Sequence, residues 1–287
     1  MLSPMRKLPA YAWLGLAAML VSEAGTLAKL GPFPTFHTPI VWTGYILFVD
    51  GLVWRRRGDS WIQNAPAEFL FLVVFSIPLW LVFEFFNAFI QNWHYVGLPD
   101  NVWLRVAGYG WSFATIWPAI FETGELVSSL RERRAAPGRF AVREYPARLA
   151  WVQRGLVLAG AAMLAWPLVW PSPYLAAPVW LGFIFLLDPV NARFGGEALL
   201  CDFGYGRFQR AVNLVCAGLI CGLLWEFWNY WAGAKWVYSV PILAEWKVFE
   251  MPLPGYLGFP AFALECFTMY VALRLLLFRG ATRPISI

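Results

Sequence analysis

"WEFWNYWAGAKWVY", residues 225–238, sets a carboxylate and an amide among tryptophans, and "FEFFNAFIQNWHY", residues 83–95, does the same. Glu84 and Asn87 precede Glu226 and Asn229 by 142 positions; Trp93 and Tyr95 precede Trp236 and Tyr238 by 143. The likeness extends outward. "TPIVWTGYILFVD" at 38–50 matches "APVWLGFIFLLD" at 177–188, pairing Trp42, Gly44 and Asp50 with Trp180, Gly182 and Asp188. Trp103 pairs with Trp246, and Glu122 with Glu265, so that residues 38–125 resemble residues 177–268. Self-similarity at a nearly constant offset is the mark of an internal duplication.

The duplicated unit belongs in a membrane. Of the 287 residues, 60% are hydrophobic and only 14% charged, in long apolar runs separated by short Arg-rich stretches. This pattern reads as an all-α integral membrane protein. Eight spans are expected, at 10–28, 38–54, 67–91, 110–129, 150–170, 176–190, 210–231 and 254–275. They divide into a first four-helix repeat (1–130), a basic linker (131–149) and a second four-helix repeat (150–287). An even number of spans per repeat gives both copies the same orientation, so the repeats are parallel. The first apolar run lacks a small-residue cleavage site and reads as a span, not a signal peptide. Cys201, Cys216, Cys221 and Cys266 have no metal-like spacing and read as core thiols.

Basic residues set the orientation. The N-terminal tail, the 2–3, 4–5 and 6–7 loops and the C-terminal region hold all but four of the 22 Lys and Arg; the other loops have Lys29, Arg105, Lys235 and Lys247. By the positive-inside rule both termini face the cytoplasm of a multi-pass inner-membrane protein. The net charge of +5 then suits the anionic cytoplasmic leaflet and calls for no nucleic acid. The 4–5 loop, "RERRAAPGRFAVREYPARLAWVQR", has the character of a basic segment lying on that leaflet.

Acids inside the spans are the chemical signal. A carboxylate at the bilayer centre costs roughly 2.5 to 3.5 kcal/mol on insertion scales. Glu84 and Asn87, like Glu226 and Asn229, are spaced i and i+3 and share one helix face. Glu122 and Glu265 follow Pro118 and Pro260 in the fourth and eighth spans. The plain alternative is that these groups only glue helices together, at about 0.6 kcal/mol per hydrogen bond. The sharper one is that a carboxylic acid in a dry aromatic pocket gives a proton to a carbon–carbon double bond, aromatic faces hold the carbocation, and a second carboxylate takes a proton back. Glu84, Asn87, Glu122, Glu226, Asn229 and Glu265 are the candidate catalytic residues, the asparagines orienting the glutamates. Trp93, Tyr95, Trp225, Trp228, Trp236 and Tyr238 are the candidate substrate-binding residues.

The stretch from Trp225 to Tyr270 resembles the lycopene cyclase domain of the small membrane-embedded carotenoid cyclases, through Trp236 and Tyr238, Gly255 and Gly258, Pro260 and Glu265. The first half carries the same pattern more loosely in Trp93 and Tyr95, Gly108 and Gly110, Pro118 and Glu122. The resemblance implies two such domains in tandem and non-redox cyclisation, isomerisation or hydration of an isoprenoid or carotenoid-like lipid. Where the family has adjacent acids after its proline, Glu265 and Glu122 here stand alone.

Two other classes compete: a non-enzymatic membrane subunit binding a pigment, quinone or protein partner, and a proton-coupled transporter. No cofactor is expected. There is no nucleotide-binding loop, and His37 and His94, the only histidines, both near the outer face, fit haem poorly; they could ligate one metal but read as interfacial polar residues, and no metal is expected.

Overall fold

The computed structural model describes residues 6–131, 150–278, 285 and 287. The expected linker beyond Arg131, and with it the basic surface segment, lies outside the described residues. Helices dominate: α1 (Ala10–Leu27), α2 (Phe33–Arg57), α3 (Trp61–Asn64), α4 (Pro66–Ile90), α5 (Val102–Ala114), α6 (Ile116–Arg131), α7 (Ala150–Val169), α8 (Ala176–Arg193), α9 (Leu199–Gly204), α10 (Gln209–Trp231) and α11 (Gly258–Leu277). Strands β1 (Trp93–Val96) and β2 (Lys235–Tyr238) pair across the halves, and β3 (Lys247–Val248) pairs with β4 (Met251–Pro252) before a 3₁₀ turn at Leu253–Leu257. Among the described residues six helical stretches are long and apolar enough to cross a membrane: α1, α2, α4, α7, α10, and α11 with its preceding turn. The chain is thus a multi-pass, all-α membrane protein.

Local sequence explains several boundaries. Pro66 starts α4, where its missing N–H is no loss. Gly58 ends α2 in the left-handed conformation (φ 71°), just after Arg55, Arg56 and Arg57. The expected fourth span is two helices. Pro118 cannot donate to Ala114, and Ser76 of α4 enters the opening. Its hydroxyl donates to the Phe113 carbonyl and accepts from the Trp117 N–H at 3.1 Å, the two groups an unbroken helix would join to each other. The connection between α8 and α10 contains the short helix α9.

Asp50 and Asp188, matched in sequence, do matching structural work. Asp50 accepts from the Ile62 N–H and the Ser60 hydroxyl, both at 3.0 Å, at the start of α3. Asp188 accepts from the Leu199 and Leu200 N–H groups at 2.8 and 2.7 Å at the start of α9. Each buried carboxylate caps a short helix after its span, and the orphan N–H groups there offset its burial.

Close helix packing depends on glycine. A Cβ on Gly44 would lie 2.5 Å from the Gly15 carbonyl oxygen, and one on Gly160 would lie 2.7 Å from that of Gly182. Small residues let α1 meet α2, and α7 meet α8, backbone to backbone. Along their apolar stretches less than a third of α1, α4 and α7 is buried, whereas α2, α10 and α11 are half buried or more. The core between them is aromatic. Trp42, Trp117 and Phe83 are fully buried, and Trp42 contacts Trp225 and Trp228 with ring centroids 5.1 and 4.9 Å apart.

Candidate functional site

The site begins with two chain reversals. After α4, Asn87 accepts from the Asn92 and Trp93 N–H groups at 2.9 and 3.2 Å and donates to the Trp93 carbonyl at 2.8 Å. After α10, Asn229 accepts from the Trp236 N–H at 2.9 Å and donates to its carbonyl at 2.8 Å. Each asparagine therefore ties a strand back onto the helix it has just left. Where the amides were expected to orient the glutamates, the hydrogen bonds seen for both go to backbone of the following strand and its approach.

Strand alternation does the next step. In a Trp-x-Tyr strand both rings point to one face. The antiparallel register sets Trp93 opposite Tyr238 and Tyr95 opposite Trp236, so all four rings share that face. They wall a cavity of about 480 Å³, within the usual range for small-molecule sites. Trp42, Trp80, Trp180, Trp225 and Phe262 line it too.

The glutamates stand behind the tyrosines. Tyr95 donates its hydroxyl to Glu84 Oε1 at 2.5 Å, and the same oxygen accepts from Trp80 Nε1 at 2.8 Å and Trp93 Nε1 at 3.2 Å. Tyr238 donates to Glu226 Oε1 at 2.8 Å and accepts from Trp236 Nε1 at 2.8 Å. Glu226 is fully buried and its Oε2 has no hydrogen-bond partner. Neither glutamate lines the cavity; Tyr95 and Tyr238 do. Burial, then the adjacent Glu84 and Glu226 respectively, hold both phenols well above the usual tyrosine range. They remain hydroxyl donors at neutral pH.

The remaining candidates lie elsewhere. Glu122 and Glu265 are fully buried on α6 and α11 and do not line the cavity; Glu265 Oε1 accepts from the Phe183 N–H at 3.3 Å. Trp228 is also off the cavity, donating to Glu23 at 2.8 Å. Trp80, Tyr109 and Arg105 line the site without having been expected. Trp80 was legible as the residue four before Glu84, one helical turn away and on its face. Among the described residues no cluster of His, Cys, Asp or Glu is placed to hold a metal ion. No protein family, curated protein or solved structure matches this chain.

Proposed function

We propose that this is an eight-span enzyme of two parallel four-helix halves, performing non-redox acid–base chemistry on an isoprenoid or similarly apolar lipid. The observation that carries this reading is the pair of Tyr–Glu dyads, one from each half, whose phenols enter one aromatic cavity. Support for the parallel halves comes from the ribbon: exchanging Trp93 with Trp236 and Tyr95 with Tyr238 leaves its register unchanged. With the arginine-rich end in the cytoplasm, both termini lie inside and the cavity opens at the outer half of the inner membrane.

The two dyads suit opposite tasks. Three donors converge on Glu84, which suits a carboxylate. One donor reaches the dry Glu226, which suits a neutral carboxylic acid, because an unpaired charge there costs far more than an unpaired hydroxyl. With Glu226 protonated, the Glu226–Tyr238 hydrogen bond runs from acid to phenol, and Tyr238 passes its hydroxyl proton to a substrate double bond as it takes the acid's; the alkene π pair becomes the new C–H bond. The carbocation rests against Trp and Phe faces. Ring closure moves a second π pair, and loss of a neighbouring proton by way of Tyr95 to Glu84 leaves its C–H pair as a new double bond. Electrons balance with no oxidant, in keeping with the resemblance to the lycopene cyclase domain.

The test is mass spectrometry and absorbance of an organic extract of the purified protein against an extract of the host membrane, followed by conversion of the enriched lipid. An enriched prenyl lipid or polyene, converted by the wild type and not by Tyr238→Phe or Glu226→Gln, is expected. A fully active Glu84→Gln/Glu226→Gln double variant would sink the assignment. One observation favours a second reading: the interrupted α5–α6 span is a device of transporters. Proton flux in liposomes that vanishes with Glu84→Gln is what that reading requires.

A further inference from the structure

One wall of the cavity is graded in polarity. Helix α5 and the start of α6 present Arg105, Tyr109, Ser112, Phe113 and Ile116 to it, spaced at three to four residues as one helical stripe demands. The stripe runs from a guanidinium near the ribbon to plain hydrocarbon at depth. A cavity meant only for a hydrocarbon has no use for the first of these residues.

Arg105 is held by neutral groups alone. Its Nε and Nη2 donate to the Pro99 carbonyl at 3.1 and 3.0 Å, and Nη2 also reaches the Asp100 carbonyl at 3.4 Å. Among the described residues it makes no ion pair. Lys235, the other cation lining the cavity, is neutralised by Glu250 at 2.5 Å. At the opposite end of the molecule Arg210 pairs with Glu197 and Asp202, and Arg274 with Glu68. Arg105 is thus a positive charge at the cavity that no carboxylate contacts among the described residues. Its planar fork is pinned by three carbonyl bonds while Nη1 makes none among the described residues, the state in which a guanidinium receives a phosphate or carboxylate. Tyr109, one turn further along the stripe, places its ring 5.1 Å from the ring of Tyr95. The charge therefore stands one side chain away from the Tyr95–Glu84 dyad.

We infer that the ligand of this cavity is amphipathic: a lipid whose anionic oxygen headgroup, phosphate or carboxylate, is held by Arg105 while its chain lies among the tryptophans. This rests on the proposal that the cavity takes an apolar lipid, and adds to it a head, a direction of entry and the part of the chain that meets Tyr95. The head stays at the ribbon end and the chain descends past Tyr109 toward Ile116.

The experiment is a tryptophan-fluorescence titration of the full chain in detergent micelles with farnesyl diphosphate, farnesol and palmitoleate. Farnesyl diphosphate or palmitoleate is expected to bind at least about 10-fold more tightly than farnesol, the yield of one charge-assisted contact. Arg105→Gln is expected to abolish that preference and leave farnesol unchanged; Arg105→Lys retains most of it. The better of the two anions tells a phosphate head from a carboxylate. Equal binding of all three probes by the wild type, or equal weakening of all three in Arg105→Gln, overturns the anionic head and leaves the lipid cavity standing. Failure of all three probes to bind overturns both.

Discussion

The dyads Glu84–Tyr95 and Glu226–Tyr238 share one sequence pattern and differ in the donors that meet them. Both glutamates lie three residues before a strand-tying asparagine, and both accept from the tyrosine of a Trp-x-Tyr strand. The position one turn earlier separates them. In the first half it is Trp80, whose indole N–H reaches Glu84. In the second it is Gly222, where an added Cβ would lie 2.2 Å from Phe259 Cδ2, so the place of an indole is taken by a phenyl ring from α11. The strand tryptophans diverge as well: Trp93 donates to its glutamate, while Trp236 donates to its tyrosine. Gly222 and the ring of Phe259 take the place of one donor and the turn of Trp236 to its tyrosine takes away another, so Glu226 meets one donor where Glu84 meets three. In a dry site that difference separates a group fit to hold charge from one fit to be neutral.

The widest break in the comparison is chemical. Turnover of the co-purified lipid is expected to fall about 10²- to 10⁴-fold in Glu226→Gln and in Glu84→Gln alike, the scale of a lost general acid or base. If only one variant loses turnover, a single dyad does the chemistry and the other is scaffold. Next in size is the strand tie. Asn87→Leu leaves three backbone partners unmet and Asn229→Leu leaves two. At about 1 kcal/mol per bond, the first is expected to lower stability by about 3 kcal/mol and the second by about 2, read by thermal unfolding in detergent. Equal losses would erase the difference between the two reversals. Trp80→Phe removes one donor from Glu84 and keeps the ring; a loss of about 1 kcal/mol in stability and a several-fold drop in turnover are expected. Trp228→Phe removes an N–H bond to Glu23 outside the cavity. It is expected to leave turnover unchanged, and a drop matching that of Trp80→Phe would draw Glu23 into the site.

Much of this arrangement was legible in the chain. Six of the eight expected spans are met by helices long and apolar enough to cross a membrane, because apolar length and Pro, Gly and Arg punctuation are local properties; the broken fourth and the sixth, α8, are not among them. The pairing of Glu84, Asn87, Trp93 and Tyr95 with Glu226, Asn229, Trp236 and Tyr238 was legible because the two stretches keep nearly the same spacing. Other features were not. The break at Thr115 needs Ser76 from another helix, and the roles of Asp50 and Asp188 need the N–H groups of helices that begin about ten residues later. Glu122 and Glu265 matched as well as Glu84 and Glu226 did, yet the cavity passes them by.

By itself the sequence determined the helices, the membrane class and which residues recur, since hydrophobic length and repeat spacing act along the chain. Only the tertiary structure decided that four rings from two distant strands share one face, that tyrosines stand between the glutamates and the cavity, and that the two carboxyls meet unequal numbers of donors. Those outcomes depend on strand register and on what packs against each helix face, and neither is a property of any one stretch of residues.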